Sequence, residues 1–147
     1  MRLLPSIALI FTVVLLQTGL VGAAETRYVV VIQGHDSGAM TVRDGTEGEL
    51  KVDYHYKTNG RGPKLSETIV TAHDGGFVRY RVKGTSTFGG GVDESFDVRR
   101  GKAKWKSSGD QGSAEVTGPA LYLTGGPSSP VQFAMVARAL MMQPSHR

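Results

Sequence analysis

Residues Leu50–Val82 of the 147-residue chain read LKVDYHYKTNGRGPKLSETIVTAHDGGFVRYRV, and the strand pattern is clearest here. Apolar side chains alternate along its two ends, at Leu50, Val52, Tyr54 and Tyr56 and at Val78, Tyr80 and Val82. In its middle, Leu65 and Ile69 share a face that Glu67 interrupts. A period of two is typical of strands with one face on a core and the other in water. Because the turn-rich strings NGRGP and HDGG join the three runs, the stretch predicts an antiparallel meander.

Two more strands are predicted before this meander. The first lies within Arg27–Gln33 and carries the run YVVVI, which is strongly β-prone and apolar on both faces. Such a run is typical of a strand that is covered on both sides, or that is central in a curved sheet. A turn at Gly34–Gly38 then leads into a second strand, predicted over Ala39–Arg43.

Two strands are predicted after the meander, over Val92–Arg99 and around Trp105, beyond a loose Gly/Ser/Thr connection at Gly84–Gly91. In the Trp105 strand, Ala103 and Trp105 alternate with three lysines, which are Lys102, Lys104 and Lys106. This alternation indicates a solvated charged face over a buried Trp rather than the basic stripe of a nucleic-acid binder. We therefore predict no nucleic-acid partner. Ser107–Gly112 is predicted to be a polar loop.

The pattern changes at Ser129–Pro130, where a good N-cap is followed by the residue favoured at the first helical position. A wide apolar stripe at helical spacing follows, made of Val131, Phe133, Ala134, Met135, Val136, Ala139, Leu140 and Met142. Arg138 is its only charge, and Pro144 would end the helix. The predicted fold is therefore mainly β, a curved antiparallel meander sheet with one C-terminal α-helix. A helix this apolar is normally covered on more than one side, so we expect it to pack on the sheet or on a domain absent from this chain.

The N-terminus predicts secretion. Arg2 precedes an apolar run over Ile7–Leu16, and the small residues Gly22–Ala24 follow, which is the order of a secretory signal peptide cleaved after Ala23 or Ala24. An uncleaved membrane anchor is the alternative, although the run is short for a span of about 20 residues. The chain has no Cys, so neither a disulfide nor a lipid anchor on Cys is possible. The predicted organisation is a signal peptide over residues 1–24, a β-domain over 25–128 and a helix over 129–143, in a secreted or periplasmic protein.

No side chain stands out as catalytic, cofactor-binding or metal-binding. The pairs His35–Asp36 and His73–Asp74 lie beside Gly in predicted turns, where Asp is common for backbone reasons, and a metal would need further ligands. Four carboxylates could supply an acid–base pair, but exposed strand and turn positions carry such residues routinely; they are Glu67, Asp93, Glu94 and Asp97. The chain has no Gly-x-Ser-x-Gly elbow, no phosphate-binding loop and no Cys nucleophile. We therefore predict no catalytic, cofactor or metal residue in this chain.

Three strings carry a family resemblance: YKTNGRGPKL at residues 56–65, VDESF at 92–96 and AKWKS at 103–107. Together with ARAL at 137–140 in the predicted helix, they resemble the N-terminal region of large secreted bacterial amidohydrolases. The resemblance implies a β-region ahead of a metal-dependent (β/α) barrel that hydrolyses amide or related bonds. In that barrel a His-x-His pair and further His and Asp residues hold zinc or a similar divalent metal. The chain has no His-x-His, so no family catalytic residue can be carried over to it.

On this hypothesis the chain is the non-catalytic leading β-domain of such a hydrolase, truncated before the barrel on which it would dock. A second hypothesis follows from the predicted architecture, since a curved sheet with a helix across it also resembles the half-barrels of periplasmic lipoprotein carriers. Such a half-barrel would hold a lipid or small hydrophobic ligand between sheet and helix. The aromatic and Met side chains that could line it are Tyr28, Tyr54, Tyr56, Tyr80, Phe96, Trp105, Met135, Met141 and Met142. The residues alone leave both hypotheses open.

Overall fold

A computed structural model describes residues 24–143 of the chain. Eight antiparallel strands form one open curved sheet in which each strand pairs with its neighbours in sequence, and one α-helix follows. The strands are β1 (Glu25–Ile32), β2 (His35–Asp44), β3 (Glu49–Tyr56), β4 (Lys64–Thr71), β5 (Phe77–Thr85), β6 (Gly91–Arg99), β7 (Lys102–Lys106) and β8 (Gln111–Glu115), and the helix is α1 (Pro130–Met142). The predicted meander with a C-terminal helix is confirmed. The predicted signal peptide, except for Ala24, lies outside the described residues.

The alternation along each strand decides which side chains face α1. One row of facing residues consists of Val52, Glu67, Val82 and Glu94, and the next consists of Ile69, Tyr80, Phe96 and Trp105. Residues that face each other across strands share one face of the sheet, so both rows lie on the inner face. The buried core is made of Val52, Leu65, Ile69, Phe77, Tyr80, Val82, Phe96, Ala103 and Val131. The core therefore lies between the central strands and the helix.

The outer face of the sheet is charged. Arg43 pairs with both Glu25 and Asp53, and Asp97 pairs with both Arg79 and Arg81. Exposed ion pairs of this kind contribute about 0–1 kcal/mol each to the free energy of unfolding. They therefore identify the solvent-exposed face of the sheet but add little to its stability. Lys102, Lys104 and Lys106 are exposed on this face while Ala103 is buried and Trp105 half-buried, which confirms the predicted division of β7.

Two irregularities and a glycine shape the sheet. The pairing register shifts between Val30 and Val31 and again between Val70 and Thr71, and such bulges increase the local twist and bend of a strand. In β5, Gly84 has a φ of +147°, and a Cβ there would overlap the backbone of β4. Only glycine fits such a close approach of two strands.

The position of β1 corrects a prediction. It is an edge strand that pairs only with β2, rather than a covered or central strand. Val29 and Val31 keep 60% and 62% of their surface exposed. The apolar run YVVVI therefore reflects β-propensity, while the order of strands in the meander places it at the rim.

β8 is a second correction, because Gln111 and Gly112 belong to a strand and not to the predicted polar loop. The sequence QGSAE has little β-propensity, so pairing with all five residues of β7 is what orders it. Gly112 allows this pairing because a Cβ at that position would overlap the Trp105 ring. The Trp105 ring on β7 therefore restricts position 112 on β8 to glycine.

α1 begins as predicted, with Ser129 as its N-cap and Pro130 as its first residue. It ends at Met142, and Pro144 lies outside the described residues. Within residues 24–143 the inner side of the helix is covered: Val131 packs in the core, Gln132 donates to the Tyr122 carbonyl, and Ala139 lies against Gly75 of the β4–β5 turn. Its outward side leaves Phe133, Leu140 and Met141 with 59%, 57% and 80% of their surface exposed. Among residues 24–143, no helix is both long enough and apolar enough to cross a membrane.

Candidate functional site

The two His-Asp pairs lie at opposite ends of the sheet. His35–Asp36 begins β2 next to the β1–β2 turn, whereas His73–Asp74 lies in the β4–β5 turn. Each Asp accepts a hydrogen bond from the backbone N–H two residues later, Asp36 at 3.3 Å and Asp74 at 2.9 Å. The predicted turn role is confirmed for His73–Asp74, whereas His35 and Asp36 lie in β2, where they pair with Ile32 and Val31 of β1. Within residues 24–143, no group of three or more His, Asp or Glu side chains comes together as a possible metal site.

Two of the four candidate carboxylates correct the prediction that such residues are exposed. Glu67 and Glu94 keep only 2% and 6% of their surface exposed. They lie on β4 and β6 with Val82 of β5 between them, all on the inner face. Asp93, in contrast, is exposed, and Asp97 belongs to the outer-face ion pairs. The sequence did contain a signal for both buried carboxylates, because each stands in register with the apolar residues of its strand.

Glu67 binds the start of α1. Its carboxylate accepts two hydrogen bonds from Ser129, one from the backbone N–H and one from the hydroxyl, each at 2.5 Å. Ser129 is fully buried, and its own side chain does not cap the helix. The first turn of a helix has unpaired N–H groups and a partial positive charge, and both favour a carboxylate. A side chain of the sheet therefore completes the helix cap and ties α1 to β4.

Burial shifts the pKa values of Glu67 and of its neighbour Tyr80. Desolvation raises the pKa of Glu67, and the hydrogen bonds from Ser129 oppose that rise without cancelling it. The Tyr80 hydroxyl is buried beside this carboxylate and, among residues 24–143, has no hydrogen-bond partner of good geometry. Burial and then the charge of Glu67 raise the pKa of Tyr80. Glu67 is buried beneath the helix, and its carboxylate links β4 to the start of α1.

Glu94 faces a second phenol. The Tyr122 hydroxyl donates to Glu94 Oε2 at 3.4 Å. Burial, and then the charge of Glu94, raises the pKa of Tyr122 to about 12. The phenol therefore remains a hydrogen-bond donor over the physiological range. This contact fixes the segment that follows β8 against the inner face of β6.

An apolar cleft opens beside this contact, between β6–β8 and residues 116–125. Its volume is about 570 Å³, which is in the range of small-molecule sites. The large side chains in its lining are Phe96, Trp105, Val116, Leu121, Tyr122 and Leu123. The rings of Phe96 and Tyr122 stack with centroids 4.7 Å apart, and Trp105 Nε1 donates to Asp110 at 2.8 Å. The walls are therefore held in place, and the chemistry that they offer is apolar and aromatic.

A larger cleft of about 760 Å³ lies at the other end of the sheet, between the β2–β3 turn, the β4–β5 turn and the C-terminal half of α1. Its charged lining residues are Asp44, Glu47, Glu49, His73 and Arg138. Glu49 forms an ion pair with Lys51 at 3.2 Å, and the other four are exposed to solvent. Among the described residues, the His, Asp and Glu side chains of this cleft do not form a group that could hold a metal ion.

Comparison of the chain with protein-family models, with curated proteins and with solved structures found no match.

Proposed function

We propose that this chain is the non-catalytic leading β-domain of a secreted, metal-dependent hydrolase of the amidohydrolase type. The outward side of α1 docks on the catalytic barrel, and zinc or a similar divalent metal belongs to that barrel and not to this chain. The three strings at residues 56–65, 92–96 and 103–107 support the family. They contribute, among the described residues, the β3–β4 turn, part of β6 and most of β7.

The observation that carries the docking proposal is the outward stripe of α1, which we define as Phe133, Ala137, Leu140 and Met141. These residues are spaced so that they share one side of the helix, and all four are exposed. Arg138 is the only charge in the helix. A contiguous apolar surface on a soluble domain marks an interaction site, and the centre of a protein interface is depleted of charge.

The intact mass of the native product, read together with the coding sequence beyond Arg147, tests the proposal directly. We expect a longer product that continues in frame into a barrel with a His-x-His pair. A native product whose mass ends at residue 147 would contradict the proposal.

Methionine oxidation then tests the docking surface. Peroxide converts exposed Met to its sulfoxide, so Met141 should oxidise quickly in the isolated chain and slowly in the longer native product. Met40 on β2 is half-buried within the sheet and serves as the control, with the same rate in both. Equal oxidation of Met141 in the two forms would show that the stripe is not an interface.

A second candidate function, a binding module for a lipid or small hydrophobic ligand, is supported by the apolar cleft between β6–β8 and residues 116–125. This cleft does not lie between sheet and helix as predicted, and of the side chains named for it from the sequence it contains only Phe96 and Trp105. Trp105 is the only Trp in the chain and lines this cleft, so its emission reports occupancy. On this proposal a fatty acyl probe shifts the emission, and Leu121→Glu abolishes the shift because it places a charge in the cleft. Leu140→Glu on the outward stripe is the matched control and leaves the shift intact. Emission that no acyl probe alters would exclude this function.

A further inference from the structure

One end of the sheet presents an exposed aromatic tip. The β1–β2, β3–β4, β5–β6 and β7–β8 turns lie at this end because consecutive strands alternate in direction. Phe88 lies in the β5–β6 turn with 84% of its surface exposed, more than any other large hydrophobic side chain among residues 24–143. Phe88 is therefore not part of the hydrophobic core formed by the described residues.

The turn that carries Phe88 is ordered, although its composition predicted a loose connection. Ser86 N–H donates to the Gly90 carbonyl at 2.8 Å, and Gly89 N–H donates to the Ser86 carbonyl at 3.0 Å. Gly90 N–H also donates to Ser86 Oγ at 3.1 Å. Three hydrogen bonds thus fix the backbone on both sides of Phe88, and the side chain projects from a defined support.

The charges around the tip are mostly positive. The turns and strand ends at this end of the sheet, residues 33–36, 57–64, 85–91 and 106–111, contain four exposed cations, which are Lys57, Arg61, Lys64 and Lys106. None of them forms an ion pair within residues 24–143. These segments contain two carboxylates: Asp110 accepts the hydrogen bond from Trp105, and Asp36, beside the β1–β2 turn, accepts one from the backbone N–H of Gly38. This end of the sheet therefore combines one exposed aromatic side chain with more cations than carboxylates.

We propose that this end of the sheet docks on an anionic lipid bilayer, with Phe88 inserted at the interface and the four cations on the lipid headgroups. Aromatic side chains favour the level of the headgroups, and cations near an anionic leaflet add an attraction that salt screens. A protein interface would need a cluster of apolar residues around the anchor, and a single-stranded nucleic acid would need several stacking platforms. One aromatic side chain among glycines and cations fits a soft anionic surface best. This docking is independent of the hydrolase proposal.

Co-sedimentation of the purified protein with vesicles tests the proposal. We expect binding to phosphatidylcholine vesicles that contain phosphatidylglycerol, little binding to phosphatidylcholine alone, and loss of binding at high salt. Phe88→Ala should weaken binding by roughly tenfold, because it removes most of the apolar surface that inserts. Met141→Ala, which truncates a comparably exposed residue on α1, is the control and should bind like the wild type.

Charge-reversal variants at the two ends of the sheet complete the test. Lys57→Glu combined with Arg61→Glu should abolish binding to the anionic vesicles, whereas Lys102→Glu at the opposite end of the sheet should preserve it. Unchanged Trp105 emission in each variant shows that the fold is intact. Three results would overturn the proposal: no binding to anionic vesicles at low salt, binding that Phe88→Ala leaves unchanged, or binding that depends on Met141. Binding to isolated cell envelopes but not to protein-free vesicles would indicate a protein partner and would overturn it as well.

Discussion

At the scale of single residues, Glu67 is the side chain on which the attachment of α1 to the sheet depends. A buried, unpaired carboxylate costs several kcal/mol through lost hydration. Here both donors of Ser129 and the positive end of the helix offset that cost. The raised pKa of Glu67 shows that the compensation is incomplete. The tether between helix and sheet therefore makes stability depend on pH.

We expect Glu67 to make the protein more stable as the pH falls toward the ordinary carboxyl range. Its folded-state pKa is raised above the ordinary value of 4.5. Its favourable contribution is therefore complete below that ordinary value and is lost as the pH rises through the folded-state pKa. Urea denaturation at a series of pH values measures this dependence, and Glu67→Gln, which cannot ionise, should flatten it.

Two observations keep this test specific. Asp53 acts in the opposite sense, because the hydrogen bond from Arg43 lowers its pKa, so its contribution is lost only as the pH falls through that lowered value. Asp93→Asn, which neutralises an exposed carboxylate, is the matched control and should keep the wild-type profile. A Glu67→Gln profile that coincides with the wild type would rule out this account.

Ser129 is predicted to be the second half of the tether. Ser129→Ala removes the hydroxyl donor and leaves one backbone N–H for a buried carboxylate, so we expect a loss of about 1–3 kcal/mol in the free energy of unfolding. Because that hydroxyl lowers the pKa of Glu67, its removal should also make the pH dependence steeper. Ser113→Ala on the exposed face of β8 is the control, with an expected change within about 0.5 kcal/mol. Equal effects of the two substitutions would show that Glu67 does not depend on Ser129.

Only one partner of the contact between Glu67 and Ser129 could be predicted from the sequence. Glu67 stands where the alternation of Leu65 and Ile69 requires an apolar residue, so a buried carboxylate could have been inferred from the pattern. Its partner could not, because Ser129 lies 62 residues away along the chain. Periodicity assigns a side chain to a face, but it does not tell which distant loop covers that face.

At the scale of elements, the same distinction separates correct predictions from wrong ones. β3 and β6 were predictable because their apolar residues alternate on one face. In β5 the predicted alternation holds at Tyr80 and Val82, but Val78 is exposed and Phe77 is buried in its place. β8 was not, because its order comes from pairing with β7 and from a glycine under the Trp105 ring. The edge position of β1 could not be predicted, because a strand that is apolar on both faces resembles a central strand.

The exposed edge of β1 leads to a prediction about aggregation. Val29→Lys combined with Val31→Lys places charges at two exposed positions of an edge strand, and charges on an edge oppose pairing with another chain. We expect the free energy of unfolding to change by about 1 kcal/mol or less and aggregation on heating to slow. Urea denaturation and light scattering measure the two effects.

Val52 provides the control for this pair, because it is the same residue type but is almost fully buried. Val52→Lys should cost several kcal/mol, since it places a charge in the core. If the β1 substitutions destabilised the protein as strongly as Val52→Lys, the edge would have to be covered in solution.

At the scale of the whole molecule, the two proposed contact surfaces do not compete. α1 runs away from the Phe88 end, because Gln143 after its last turn donates to the carbonyl of Asp74 in the β4–β5 turn. The outward stripe lies along the helix, while Phe88 and the cations around it lie at one end of the sheet. One domain could therefore hold a partner domain and rest on a bilayer at the same time.

The outward stripe itself gives the last prediction. Leu140→Lys combined with Met141→Lys should leave the free energy of unfolding within about 1 kcal/mol of the wild type, because both side chains are exposed. The neighbouring substitution Ala139→Lys should cost at least about 2 kcal/mol, because Ala139 is buried against Gly75. Urea denaturation compares the variants, and analytical ultracentrifugation should show that the double variant loses any self-association of the isolated chain. If the double variant were as unstable as Ala139→Lys, the stripe would be packed within this domain and would not be free to dock.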